Sequence, residues 1–219
     1  MYELLDSLLA KVRKKIKTDF NRLGTMGFDE LNVVNTRKTT AQMYDRFLTM
    51  NEQAYLKAAI EAYKKAEENA NGVGYSGEET DIDEDWLLTI LLAYNLVTGY
   101  IYDREAERKR LRLNEQILTA REYDDRGALN ESLRRAANLW WTQTSQYGID
   151  VVDKATLQAY KDMGVEYVRW IAQMDERTCE VCGPRHMKIY PLNKVPAKTH
   201  YGCRCRVVPV KKGEEDADS

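Results

Sequence analysis

Two short stretches near the C-terminus, Cys179-Glu180-Val181-Cys182 and His200-Tyr201-Gly202-Cys203-Arg204-Cys205, decide how this sequence is interpreted. They contain all four cysteines of the chain and one of its two histidines. Two cysteines separated by two residues can wrap one metal ion in a tight turn whose backbone amides point at the thiolates. A second pair arriving from a distant segment then closes a tetrahedral site. The spacing therefore predicts one structural zinc ion per chain.

Five candidate ligands compete for the four positions of such a site: Cys179, Cys182, His200, Cys203 and Cys205. Alternate residues on a flat strand point to opposite faces, which slightly favours His200 together with one of the last two cysteines, unless the chain turns sharply there. The choice of four ligands stays open.

Free buried thiols and a disulfide are the simpler alternatives. A reducing cytoplasm disfavours disulfides, whereas a small unit with few large apolar residues needs a staple, so a structural metal is preferred. A catalytic zinc site keeps an open position, but this cluster can fill all four. His186 has no obvious partner and is expected on the surface.

Alternation of side chains from Val165 to Trp170 predicts a strand, and a second strand is expected from Arg204 to Val210. The cysteines lie on and between these two segments, which suggests a small α+β, zinc-knuckle-like module with a β-hairpin.

The preceding sequence predicts a multi-helix body. Leu5, Leu8, Leu9, Val12, Ile16, Phe20 and Leu23 recur at helical spacing before Gly24. Tyr100 to Tyr102 is expected to be a short extended piece. Five further helices are expected: Thr39 to Asn69, the almost entirely apolar Trp86 to Val97, Asp103 to Ala120, Asn130 to Gln146 and Asp150 to Met163. The predicted fold class is mainly α, with 1–125 as a helical body, 126–212 as the cysteine-rich module and 213–219 as an acidic, disordered tail.

Charge is distributed unevenly along the chain, although the net charge is only −2. Residues 183–212 carry eight basic side chains and no acidic one, whereas Glu78 to Asp85 and the tail are acidic. A basic surface of this kind attracts the phosphates of nucleic acid without recognising the base sequence. An acidic protein is the alternative partner. No apolar run approaches the ~30 Å needed to span a bilayer, so no membrane association is expected. The residues predicted to contact DNA are Arg185, Lys188, Lys194, Lys198, Arg204 and Arg206.

The cysteines belong to a longer string of residues: Trp170, Asp175, Arg177, Thr178, Cys179, Cys182, Pro196, His200, Cys203, Arg204 and Cys205. This string resembles the signature of the phage head morphogenesis (Mu F-like minor head protein) family. The match covers about a quarter of the chain. The spacing from Pro196 to His200 is one residue longer than in the Pro-Pro-x-His form common in the family. Tyr201 stands where family members often have a proline.

The resemblance implies a low-copy virion protein of the phage head, assembled in the host bacterial cytoplasm. Its expected partners are the portal protein, the major capsid or scaffold protein, and packaged DNA. The helical body, 1–125, is expected to attach to the capsid or portal through its amphipathic first helix and the acidic stretch Glu78 to Asp85. No enzymatic activity is implied. Within the motif, Asp175 and Arg177 are expected to act as scaffold residues and Trp170 to cover the small core. The runner-up function is a non-virion zinc-knuckle regulatory protein that binds nucleic acid. A zinc hydrolase is disfavoured by the scarcity of histidine.

Overall fold

A computed structural model describes residues 2–77, 100–174, 178–198 and 202–214, with only the backbone described for 100–106. The protein is mainly helical and carries a small antiparallel sheet near its C-terminus, which confirms the predicted fold class. Among the described residues, no helix is both long enough and apolar enough to cross a membrane. The four α-helices there are α1 (Glu3–Thr25), α2 (Val33–Gly72), α3 (Tyr100–Glu122) and α4 (Arg126–Asp162).

Helix α1 forms where the apolar spacing predicts it. Its apolar stripe is almost fully buried, from Leu5 at 1% exposed to Phe20 at 3%. This face therefore contributes to the core of the chain itself, as the periodicity of an amphipathic helix requires.

Contacts divide the described residues into two compact units. One comprises residues 6–54 and 100–145. Its core contains an aromatic cluster in which the Trp140 ring lies 4.4 Å from that of Tyr44 and 5.9 Å from that of Phe47. Trp140 is 1% exposed, so this cluster excludes water from the centre of the unit.

The other unit comprises residues 2–5, 55–77, 146–174, 178–198 and 202–214. It contains the strands β1 (Tyr167–Ile171), β2 (Ile189–Pro191) and β3 (Arg206–Pro209), in the order β2-β1-β3 with both pairings antiparallel. Two short 3₁₀ helices, Gly183–Arg185 and Leu192–Lys194, flank β2. The unit thus places the cysteine segments beside a three-stranded sheet.

Several predicted elements differ from those observed. The helices expected over Asn130 to Gln146 and Asp150 to Met163 are one continuous helix, α4. A glycine inside a helix costs only about 1 kcal/mol relative to alanine, and the buried neighbours Ile149 and Val152 outweigh that cost at Gly148.

The other differences lie at element boundaries. Tyr100 to Tyr102 belongs to α3 and is not extended, because extending an existing helix needs little intrinsic propensity. Helix α2 is longer than predicted at both ends. Strand β2 was not predicted. The expected pair of strands, β1 and β3, is therefore part of a three-stranded sheet. The predicted helix Trp86 to Val97 and the acidic stretch Glu78 to Asp85 lie outside the described residues. The tail is described only to residue 214, and the functional boundaries at residues 125 and 212 stay predictions.

Candidate metal centre

The first cysteine pair forms the tight turn that its spacing predicts. The carbonyl of Cys179 accepts hydrogen bonds from the amides of Cys182 at 3.1 Å and Gly183 at 3.0 Å. The Cys182 amide also lies 3.2 Å from Cys179 Sγ, which is the contact expected for an amide directed at a thiolate. Pro184 lies in the first turn of the short helix that follows, Gly183–Arg185, where its lack of an N–H costs nothing. The turn is therefore preorganised by backbone hydrogen bonds.

The second cysteine pair approaches the same point from the other side of the module. Gly202 has φ +71°, and strand β3 begins only at Arg206, so Cys203 and Cys205 are not on a flat strand. Side chains on a flat strand would alternate between its two faces, but this segment is not a flat strand. Cys203 and Cys205 can therefore both face the same metal ion. Their thiols and that of Cys182 lie within 4.8 Å of one another.

This three-sulfur cluster has the dimensions of a thiolate metal site. A zinc–sulfur bond is about 2.3 Å long, so tetrahedral geometry separates two sulfur ligands by about 3.8 Å. The sulfurs of Cys182 and Cys203 are 3.7 Å apart, and all four cysteines are free thiols. Cys182, Cys203 and Cys205 are 1%, 1% and 4% exposed. Three buried thiols at this spacing could hold one metal ion.

Burial also determines the protonation of the cluster. Burial raises the pKa of the Cys182 thiol, and hydrogen bonds with the neighbouring cysteines raise it further. The pKa of Cys203 is also raised, again chiefly by burial. A bound cation favours the thiolate form, so metal binding would release protons from these groups.

The remaining candidate ligands lie differently. Cys179 is partly exposed and lies outside the three-sulfur cluster, although its Sγ contacts the Cys182 amide. His200 lies outside the described residues, as do Asp175 and Arg177. The expectation that His186 is a surface residue without a partner is wrong. It is half-buried, and its Nδ1 accepts a hydrogen bond of 3.2 Å from the Ala172 amide just after β1.

Trp170 lies in β1 and is 2% exposed, so it packs in the module core and offers no surface on which a ligand could stack. Its backbone amide donates to the carbonyl of Lys188, and its carbonyl accepts from the Met187 amide. The Arg185 guanidinium lies 5.4 Å from the indole ring centroid. Trp170 therefore joins the segment after the cysteine turn to the centre of the sheet.

The six residues predicted to contact DNA divide into two groups. Lys188, Lys194 and Arg206 are exposed. Arg185 donates to the Ala197 carbonyl at 3.0 Å, whereas Arg204 and Lys198 pack against Tyr2. The Lys198 side chain is 14% exposed and lies 2.5 Å from the carboxylate of Asp153.

The sheet also modifies the basic field inferred from sequence. An exposed acidic residue, Glu166, lies beside Leu192, because the Leu192 amide donates to the Glu166 carbonyl. The surface around the module is thus less uniformly basic than residues 183–212 are in sequence.

One cluster of polar side chains near the cysteines could not be predicted from the sequence. Tyr2, Asp153 and Lys198 form a hydrogen-bonded cluster although 151 and 196 positions separate Tyr2 from its two partners. No local motif could have revealed contacts across such distances. The Tyr2 hydroxyl also lies 3.1 Å from the backbone carbonyl of Cys205.

Comparison with known proteins finds no matching family model, no matching curated protein and no matching solved structure. The resemblance to the phage head morphogenesis family therefore rests on the motif residues themselves. The structure adds that three of those residues, Cys182, Cys203 and Cys205, meet in one buried cluster.

Proposed function

We propose that this chain is a phage minor head protein whose C-terminal module is held together by one structural zinc ion. The observation that carries the proposal is the convergence of three motif cysteines: Cys203 and Cys205, which follow Cys182 by 21 and 23 residues, meet it in one cluster. These three cysteines belong to one family signature. Because their thiols also lie close together in the structure, they can bind the same metal ion.

Zinc fits the chemistry of this donor set. Soft thiolate ligands favour zinc over hard cations such as magnesium or calcium. The cluster supplies three sulfurs, and Cys179 or His200 would supply the fourth ligand. Cys179 already belongs to the turn that presents Cys182. A site closed by four protein ligands is structural, because it leaves no position open for substrate.

Zinc would add a link between segments that are distant in sequence. The sheet consists of strands of five, three and four residues. Strands this short form few hydrogen bonds between them, so a metal ion bound by the folded chain would add to their stability. The metal would tie the Cys179 turn to the segment that leads into β3.

Assembly with other head proteins is the second part of the proposal, and the family resemblance supports it. The partners would be the portal protein and the major capsid or scaffold protein, and the location would be the virion. The apolar face of α1, on which attachment was expected to depend, is buried within the chain. Attachment would therefore use the exposed polar surface of the helices.

Contact with packaged DNA is the third part, and three exposed basic residues support it: Lys188, Lys194 and Arg206. Lys188 precedes β2, and Arg206 opens β3 opposite Ile171. Contacts of this type bind phosphates and carry no base preference.

Mass spectrometry of purified phage particles tests the assembly role. We expect a few copies of the chain in each particle, and particles carrying Cys203→Ala should contain less of it. The matched control is Val181→Ala, a change at a residue that lies in the same turn and is 44% exposed. Absence of the wild-type chain from purified particles would overturn the assignment.

The same exposed basic residues favour the runner-up, a zinc-knuckle protein that binds nucleic acid outside the particle. The two functions differ in where the chain is found. Recovery of the chain on DNA in infected cells, combined with its absence from particles, would support the runner-up.

A further inference from the structure

The side chain of Tyr2, which immediately precedes α1, is held between two cations beside the cysteine cluster. Lys198 Nζ lies 5.0 Å and the Arg204 guanidinium 5.1 Å from the centre of its ring. Tyr2 is 8% exposed. The Arg204 cation is attracted by the ring quadrupole, and more strongly so when water is excluded, whereas Lys198 Nζ lies at the hydroxyl edge of the ring, 2.6 Å from the oxygen.

The hydroxyl of Tyr2 is the centre of a hydrogen-bonded network. It accepts a hydrogen bond from Lys198 Nζ at 2.6 Å. Its single proton faces two acceptors, Asp153 Oδ1 at 2.6 Å and the Cys205 carbonyl at 3.1 Å. Burial and the neighbouring Asp153 carboxylate raise the pKa of Tyr2, so it remains a protonated donor.

This network holds the cysteine segment beside the metal cluster. The thiols of Cys203 and Cys205 converge on Cys182, while the Arg204 side chain between them packs on the Tyr2 ring. The hydroxyl contacts the backbone of Cys205 itself. Tyr2 therefore holds the segment at two points, one on the backbone and one on a side chain.

We propose that Tyr2 is a positioning residue for the metal site, and that its hydroxyl couples metal binding to docking of the chain's N-terminus. This inference rests on the proposed metal site. Groups that hold the ligands of a metal contribute typically 10–100-fold to its affinity. Because coupling between two binding events is reciprocal, a metal bound at the cysteines would in turn hold the start of α1 in place.

The test uses the full-length chain with the substitution Tyr2→Phe, which removes the hydroxyl and keeps the ring. Zinc affinity is measured by competition with a chromophoric chelator. We expect the dissociation constant for zinc to rise by about 10-fold. Tyr123→Phe makes the same chemical change at a residue that is 74% exposed and should leave the affinity unchanged.

A second measurement keeps the inference testable if the variant folds poorly. In the wild-type chain, the backbone amides of the second turn of α1, the first ones that are hydrogen-bonded within the helix, should exchange with solvent at least several-fold faster after zinc is removed. An unchanged rate would overturn the coupling, whatever the behaviour of the variant.

The outcomes also separate this inference from the proposed function. Tight zinc binding by the wild type and an equal affinity in Tyr2→Phe would overturn the positioning role and leave the metal site standing. Absence of zinc binding by the wild type would overturn both.

Discussion

Replacing Cys203 with alanine should abolish the dependence of thermal stability on zinc. Cys203 is 1% exposed, and its sulfur lies 3.7 Å from that of Cys182, so alanine removes a central ligand and leaves two sulfurs of the cluster. A ligand that binds only the folded state at a free concentration 1,000 times its dissociation constant stabilises that state by about 4.1 kcal/mol. For chains of 150–250 residues, 1 kcal/mol shifts the midpoint of thermal unfolding by about 2–4 °C. The wild-type midpoint should therefore rise by about 8–16 °C when zinc replaces chelator.

The assay is thermal unfolding followed by circular dichroism, once with zinc and once with chelator, for the wild type and the variant. We expect Cys203→Ala to lose most of the increment due to zinc. Val207→Ala is the matched control. Val207 is buried in β3, two residues beyond Cys205, and truncation should lower both midpoints while the zinc increment persists.

Equal wild-type midpoints with zinc and with chelator would refute the reasoning. A zinc increment in Cys203→Ala as large as that of the wild type would also refute it, because the buried cluster would then not be the binding site.

Three further predictions concern the rest of the chain. Trp140→Ala should lower the free energy of unfolding by about 3–5 kcal/mol in urea titrations, because it empties the centre of the aromatic cluster. Burial raises the pKa of Asp19, but hydrogen bonds from Lys15 and Arg46 together outweigh this effect and hold the pKa below its usual value. Asp19→Asn should therefore cost about 1.5 kcal/mol near pH 7, and the cost should shrink as the pH falls below about 4, where the carboxylate begins to be protonated in the unfolded chain. Glutamate substitutions of three exposed basic residues should weaken DNA binding and reduce the slope of log K against log salt by roughly 2.7, which corresponds to three phosphate contacts; the residues are Lys188, Lys194 and Arg206.

Each of these predictions has a contrary outcome. A loss below about 1 kcal/mol for Trp140→Ala would show that the aromatic cluster is not central to stability. A cost of Asp19→Asn that is the same at pH 3 and pH 7 would rule out an ionised Asp19 as its source. The control for DNA binding reverses three exposed lysines of α1, namely Lys11, Lys14 and Lys17. If this control weakened DNA binding as much as the test variant, the effect would be one of total charge and not of the cysteine module.

Local patterns predicted the elements whose stability is local. The apolar spacing from Leu5 to Leu23 predicts α1 because apolar residues at this spacing form one face of a helix, which can be buried as a whole. The alternation around Val168 and Trp170 predicts β1 for the same reason. The spacing of Cys179 and Cys182 predicts a turn that backbone hydrogen bonds complete within the motif.

The features that sequence reasoning missed depend on distant contacts. Strand β2 has three residues, too few to show alternation, and forms because Ile189 to Pro191 pair with β1. The continuity of α4 through Gly148 depends on buried neighbours whose packing is tertiary. The path of the chain through Gly202, which brings Cys203 and Cys205 together, depends on a backbone conformation that the sequence permits but does not require.

The contact between Tyr2 and Cys205 joins residues 203 positions apart, so no sequence window contains both. Tyr2, Asp153 and Lys198 belong to no motif of the sequence. The predicted boundary between a helical body and a cysteine-rich module assigned Tyr2 to the body, whereas in the structure Tyr2 lies in the same compact unit as the cysteines. Any truncation of the N-terminus would therefore remove a contact of the candidate metal centre.

Metal analysis of the chain, purified without chelator, decides whether the cysteine cluster binds zinc. The measurement combines elemental analysis with titration of free thiols in the folded protein. We expect one zinc ion per chain and protection of Cys182, Cys203 and Cys205 from the thiol reagent until zinc is removed. A folded chain without metal, in which all four cysteines react as free thiols, would contradict this expectation.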